Sequence, residues 1–137
     1  MSNLFLILVM IFTMSQSCSN TQKASSDHPE PGIRFGRTGG FTNIPDEYLL
    51  NMKGEVFKIT KDDSTRINNI SRKKLKAIGK MLDAIDFEHL QINEPGNLSY
   101  FINVTGSGYQ NTVTWNDRTS VNAVKNLYKE LLTTLKP

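Results

Sequence analysis

Few side chains in this chain are of a type that does covalent chemistry. There is one cysteine, Cys18, and two histidines, His28 and His89. Nucleophilic catalysis needs a base held beside a nucleophile, and a transition-metal site needs several His, Cys or carboxylate ligands at matched spacing. Neither pattern is present, and no G-x-S-x-G, H-E-x-x-H or phosphate-loop sequence occurs. Glu88 and Glu94 flank His89, but nothing in the sequence sets their separation. The expectation is a non-enzymatic binding protein with no metal and no cofactor. Two other stretches stand out. Arg34-Phe35-Gly36-Arg37-Thr38-Gly39-Gly40-Phe41 is a glycine-rich loop flanked by arginines. In it Arg37 offers a guanidinium to a carboxylate, Gly39 and Gly40 let main chain approach a partner closely, and Phe41 is an aromatic anchor. The opposing reading is a structural bulge or turn with Phe41 in the core. The second stretch holds Arg72, Lys73, Lys76 and Lys80, with no acidic residue before Asp83.

Where these residues stand depends on the N-terminus. Leu4 to Met14 is apolar apart from Thr13, and Ser15-Gln16-Ser17 precedes Cys18. A spanning helix needs about 20 apolar residues, so this shorter run ending in small residues reads as a secretory signal peptide. Small residues ahead of a lone cysteine, with a polar stretch after it, resemble the lipobox of bacterial lipoproteins. The resemblance is carried by Ser17 and Cys18, with Met14 and Ser15 tolerated upstream; Ser15 stands where Leu is usual. It implies that residues 1–17 are removed, that Cys18 carries the acyl chains, and that the membrane is a partner through them. Ordinary cleavage after Ser15-x-Ser17 is the alternative. The residue after the cysteine, Ser19, points by resemblance to sorting rules toward the outer membrane of the cell envelope.

Residues 18–32 form the lipidated cysteine and a tether: Ser19 to Gly32 is rich in Ser and Pro and has no periodicity. His28 falls there, solvated rather than ligating. From Ile33 to Pro137 there is room for one domain large enough to fold alone. With Cys18 gone to the membrane, no disulfide can staple it. The net charge of +3 is too small to argue nucleic-acid binding.

Within residues 33–137 the periodicity predicts strands over 33–37, 47–52 and 55–61, the last closed by the Lys61-Asp62-Asp63-Ser64 turn. Leu75, Ile78, Met81, Leu82 and Ile85 recur at helical spacing after Ser71, a candidate N-cap. Gly79 inside that helix is expected to mark close packing on the sheet. The Asn93-Glu94-Pro95-Gly96-Asn97 turn adds Glu94 and Asn97 to the candidate binding residues. Strands 98–105 and 109–115 follow, then a helix capped by Ser120 with an apolar face from Val121 to Leu135. The order β-β-β-α-β-β-α argues α+β: an antiparallel sheet of four to five strands with two helices packed on one face.

Arg37, Gly39, Gly40 and Phe41 match, residue for residue, the Arg-x-Gly-Gly-Phe segment of emfourin-like proteins, small inhibitors of thermolysin-like metalloproteases. That family combines an antiparallel sheet with helix and places Gly-Gly-Phe after its first strand. The later order of elements is similar only in outline, and the lipid anchor departs from a simple secreted inhibitor; small envelope lipoproteins of Bacteroidota-type bacteria look as close. The resemblance implies a protease-inhibitor-like module with a thermolysin-like metalloprotease as protein partner. The alternative is a structural or assembly accessory that docks on a larger membrane complex through its sheet or its basic helix. As for the basic run, Arg72, Lys73, Lys76 and Lys80 fall opposite Leu75, Ile78 and Leu82, on a solvated face or against anionic headgroups.

If Cys18 is the acylated residue, Cys18→Ala abolishes labelling by a fatty-acid analogue and blocks processing between Ser17 and residue 18. A mature chain that begins elsewhere and carries no acyl mass overturns this assignment.

Overall fold

The first strand, β1 (Gly32–Gly39), is paired on both sides and lies inside a sheet of six, not four to five, strands. The others are β2 (Asp46–Asn51), β3 (Glu55–Ile59), β4 (Ser64–Asn69), β5 (Leu98–Thr105) and β6 (Gln110–Asn116), and the helices are α1 (Arg72–Ala84) and α2 (Asn122–Thr133). The sheet order is β4-β3-β2-β1-β5-β6, every pair antiparallel. The computed structural model describes residues 31–41, 45–106 and 108–137. Cys18, the apolar run before it, His28 and Ile44 lie outside the described residues. No described helix is long and apolar enough to cross a membrane.

Alternation along β1 selects the core. Ile33 and Phe35 face the helices and are opposite Leu50 and Tyr48 on β2 and Val104 and Ile102 on β5. Val113 and Trp115 of β6 continue that face. α1 contributes Ile78 and Leu82 and α2 contributes Val124, Leu127, Tyr128 and Leu131, completing one cluster. The class is α+β with both helices on one face, as the hairpin-rich order requires. On the other face Leu49, Phe57 and Phe101 lie among Arg34, Glu47, Glu55 and Arg66, and no described element covers them.

β4 is the strand that periodicity missed. Its sequence STRINN has one apolar residue, Ile67, which is itself exposed. An edge strand needs hydrogen bonds from one neighbour only, and polar side chains protect its free edge. Asn68 also closes α2, its Nδ2 donating to the carbonyls of Thr134 and Lys136 at 2.8 Å each. The opposite edge is covered by residues 92–94. Thr114 donates its N–H to Ile92 O at 2.9 Å, and Glu94 N donates to Thr114 O at 2.9 Å.

The helix starts follow different chemistry. Ser71 caps α1 as expected, its Oγ accepting from Lys74 N at 3.2 Å. Ser120 does not cap α2. The cap position is Val121, with no side-chain bond, because Lys125 N reaches back to Val121 O and the helix begins one residue later than the serine would set it.

The sheet has two ends of different make-up. The chain enters β1 at Gly32; at this entry end lie the β2–β3 turn and, through Ile70 N donating to Gly54 O at 2.8 Å, the start of α1. The C-terminus of α1 leads to a short 3₁₀ turn, Phe87–His89, whose end is pinned there: Asn111 Nδ2 donates to Phe87 O at 2.6 Å and Leu90 O at 2.9 Å. α1 thus crosses the strands at the entry end. β1 finishes at Gly39, at the opposite, loop end, with the 93–97 and 116–121 connections.

Gly79 does not mark close packing: a Cβ built there meets nothing within 4 Å. Alanine should therefore add helix propensity without a clash, raising stability by up to about 1 kcal/mol. Thermal melts of Gly79→Ala check this; a lower midpoint would mean that a neighbour presses on this turn of α1.

Candidate functional site

The glycine-rich loop and the Glu94–Asn97 turn, far apart in sequence, meet at the loop end of the sheet. Gly39 pairs with Leu98 across the β1–β5 ladder, and Gly40 N donates to Asn97 O at 2.9 Å. Both glycines have positive φ, 89° and 78°. A Cβ on Gly39 would sit 2.2 Å from Asn97 O, so only glycine permits this approach, whereas at Gly40 the nearest atom is Leu98 Cδ1 at 3.8 Å. The backbone then turns outward and Phe41 stands wholly exposed, at 111 % relative accessibility. The core alternative for Phe41 is thereby excluded: its ring does not belong to the core cluster formed by the described residues.

Arg37 does not project freely. Its Nε and Nη2 lie 2.8 and 2.7 Å from Asp46 Oδ2, across the β1–β2 pair. This hydrogen bond, and then the charge of Asp46, raise the guanidinium pKa further above its usual value. Exposed ion pairs contribute under about 1 kcal/mol, so the pair chiefly orients Arg37 at the rim. Beneath it Tyr128 is the hub of the aromatic packing. Its ring meets Trp115 edge-on at 5.3 Å and Phe35 edge-on at 6.4 Å, while Tyr100 stacks on Trp115 at 5.9 Å. Burial pushes the Tyr128 hydroxyl up to about 12, and burial, reinforced by Asp117, also raises that of Tyr100. Both phenols stay neutral at physiological pH, so their part in the site is packing.

The second loop is fixed as firmly. Gly96 N donates to Ser99 Oγ at 2.9 Å, and that hydroxyl donates back to Gly96 O at 3.1 Å. Asn116 Nδ2 donates to Glu94 O at 2.9 Å, and Asn116 Oδ1 accepts from Arg118 N at 2.8 Å. Between these turns lies an open groove of about 490 Å³ lined by Pro95, Gly96, Asn97, Leu98, Asn116, Asp117 and Arg118. Its 116–118 wall is the part that sequence reasoning did not single out: Asn-Asp is ordinary turn chemistry, and only the fold sets what lies across the groove from it. Of the candidate binding residues, Gly39, Gly40 and Asn97 share a backbone contact and Arg37 and Phe41 flank it. Glu94 is exposed on the far side of its turn, held by its main chain to β6.

Compared with protein-family models and with the curated proteins, the chain matches none. The emfourin-like and lipobox resemblances accordingly rest on the few residues that carry them.

The remaining candidates lie elsewhere. Arg72, Lys73, Lys76 and Lys80 are all exposed on α1 at the entry end, remote from the groove. Lys74, by contrast, turns inward and pairs with Glu130 of α2. His89 Nδ1 is 2.8 Å from Asp86 Oδ1, which raises its pKa first by hydrogen bonding and then by charge. This exposed pair is at the entry end and shares no cavity with Glu94. Among the described residues no group of three or more His, Cys, Asp or Glu converges on a point.

The glycines give the site a measurable signature. Gly40→Ala should cost about 1–2 kcal/mol, the left-handed backbone penalty alone. Gly39→Ala adds a clash with Asn97 O and should cost more. Equal melting midpoints for the two variants would show that the loop is not clamped at Gly39.

Proposed function

We propose that this chain is a lipid-anchored, non-enzymatic binding module of the bacterial cell envelope, and that it recognises a protein partner through the loop end of its sheet. The observation that carries the reading is the complete exposure of Phe41 on a loop whose base is tied by the Gly40–Asn97 bond. An exposed aromatic ring can anchor a partner at no cost to the core, and a stem held at Gly40 limits the entropy lost on association. Gly40 and Asn97 bring two loops side by side, and the groove beyond Asn97 gives a partner's side chain somewhere to sit. Asp46 leaves Arg37 aimed along the rim, with capacity for a second carboxylate.

The first candidate partner is a thermolysin-like metalloprotease. It is supported by the Arg-x-Gly-Gly-Phe match at Arg37 and Gly39–Phe41, by the place of that tripeptide at the end of the first strand, and by the α+β architecture. Cys18, as the acylated residue, would hold the module at the membrane, with the outer membrane favoured by Ser19.

The second reading, an assembly accessory docked on a larger membrane complex, draws on the uncovered sheet face. Phe57 and Phe101 are only half-buried there, beside the ion pairs Arg34–Glu47 and Arg66–Glu55, each at 3.0 Å. Arg34 Nε is buried with no hydrogen-bond partner among the described residues.

The two readings separate on one pair of variants. Phe41→Ala should leave the melting midpoint nearly unchanged and weaken partner binding by about 2 kcal/mol or more, the scale of an aromatic anchor. Inhibition of a thermolysin-like protease by the purified protein, lost in Phe41→Ala, is the expected result. No inhibition at any dose removes the protease as partner. Capture of an envelope partner that survives Phe41→Ala but fails in Phe101→Glu selects the sheet face instead.

A further inference from the structure

The basic face of α1 is distributed in a way the fold does not account for. α1 has no acidic residue in its first turn, so Arg72 and Lys73 oppose the helix dipole. Among the described residues, Arg72, Lys73, Lys76 and Lys80 form no salt bridge, although Lys74, in the same turn, does. At 100° per residue the four free cations span one arc of about 100° facing away from Ile78 and Leu82. Asp83 closes that arc at its C-terminal end. Next to the start of the helix lies the β2–β3 turn, tied to it by the Gly54–Ile70 bond, and this turn presents Lys53 and a 64 % exposed Met52. Cations around one exposed flexible apolar side chain are what a bilayer interface selects: ammonium groups meet lipid phosphates while the thioether enters the headgroup layer.

The position of this patch matters as much as its charge. It lies at the end of the sheet where the chain enters β1 at Gly32. β1, eight residues long, then carries the chain about 23 Å away to Gly39 and Phe41.

We infer that the entry end of the domain docks on an anionic bilayer through Lys53, Arg72, Lys73, Lys76 and Lys80, with Met52 at headgroup depth, so that the Phe41 loop faces away from the membrane. The inference adds an orientation to the anchored module proposed above, yet it requires no acyl group on Cys18. The two therefore fail separately: fatty-acid labelling reports on Cys18, and vesicle binding by unacylated protein reports on the basic end.

The test is cosedimentation of residues 19–137, which contain the whole core, with phosphatidylcholine vesicles that do or do not include phosphatidylglycerol. Sedimentation with the anionic vesicles at low salt, and release as salt rises, is expected. Each neutralised cation should lower the partition coefficient about fivefold, so the Lys73→Gln, Lys76→Gln, Lys80→Gln triple variant should lose about a hundredfold. A loop-end triple variant of equal charge, Lys58→Gln, Lys61→Gln, Lys125→Gln, should keep most of the binding. Single Lys76→Gln and Lys80→Gln variants carry the test if the triple variant melts early. Indifference to phosphatidylglycerol, equal losses in the two triple variants, or retention on a soluble polyanion without vesicle binding each overturn the proposal.

Discussion

Tyr128 packed between Trp115, Phe35 and Tyr100 is the contact on which the loop end depends. These residues come from α2, β6, β1 and β5, so one ring joins the closing helix to three strands. Edge-on and offset aromatic pairs each contribute about 0.5–1.5 kcal/mol beyond the area they bury. They are also directional, and so they set where α2 lies over the sheet as well as that it adheres. With β1 and β5 held beneath the helix, their register is fixed, and the Gly39–Leu98 pair, the Gly40–Asn97 bond and the outward turn at Phe41 follow from it.

One-sided burial divides the molecule into regions with different tasks. The helices satisfy one face of the sheet, leaving the other to two ion pairs and half-buried aromatic rings. Both sheet edges are protected by local means: a polar strand at β4, and at β6 the parallel contact with residues 92–94. Along the strands, the α1 cations and Met52 stand where the chain enters, and Phe41 with the groove stands at the far end. A protein held by its N-terminal segment and recognising a partner beyond the surface needs this separation, since a recognition loop beside the anchor would be hidden by the membrane.

The candidate site was partly legible. Positive φ at Gly39 and Gly40 is written in the residue type, and the Pro95-Gly96-Asn97 turn is equally local. Periodicity located α1, α2 and five of the strands, because each buries a face and so repeats apolar residues at its own period. β4 escaped, since STRINN buries no face and exists only because β3 offers it a ladder. Gly79 misled for the reverse reason: a glycine in a helix is compatible with close packing and with open space alike, and only the neighbours decide. Ser120 resembled a cap, yet the geometry of the β6–α2 connection moved the helix start past it.

By itself the sequence determined what depends on residue type and short-range order: an α+β pattern, a lone cysteine behind a short apolar run, a basic helix face, and a loop able to turn sharply. The tertiary structure alone decided what depends on distances between segments remote in the chain. It brought Gly40 to Asn97, engaged Arg37 with Asp46 and Lys74 with Glu130, and left Phe41 in solvent. The physical reason is that a side chain's exposure is a property of everything packed around it. A phenylalanine after two glycines is consistent with core and with surface, and the difference lies in strands and turns more than fifty residues further along the chain.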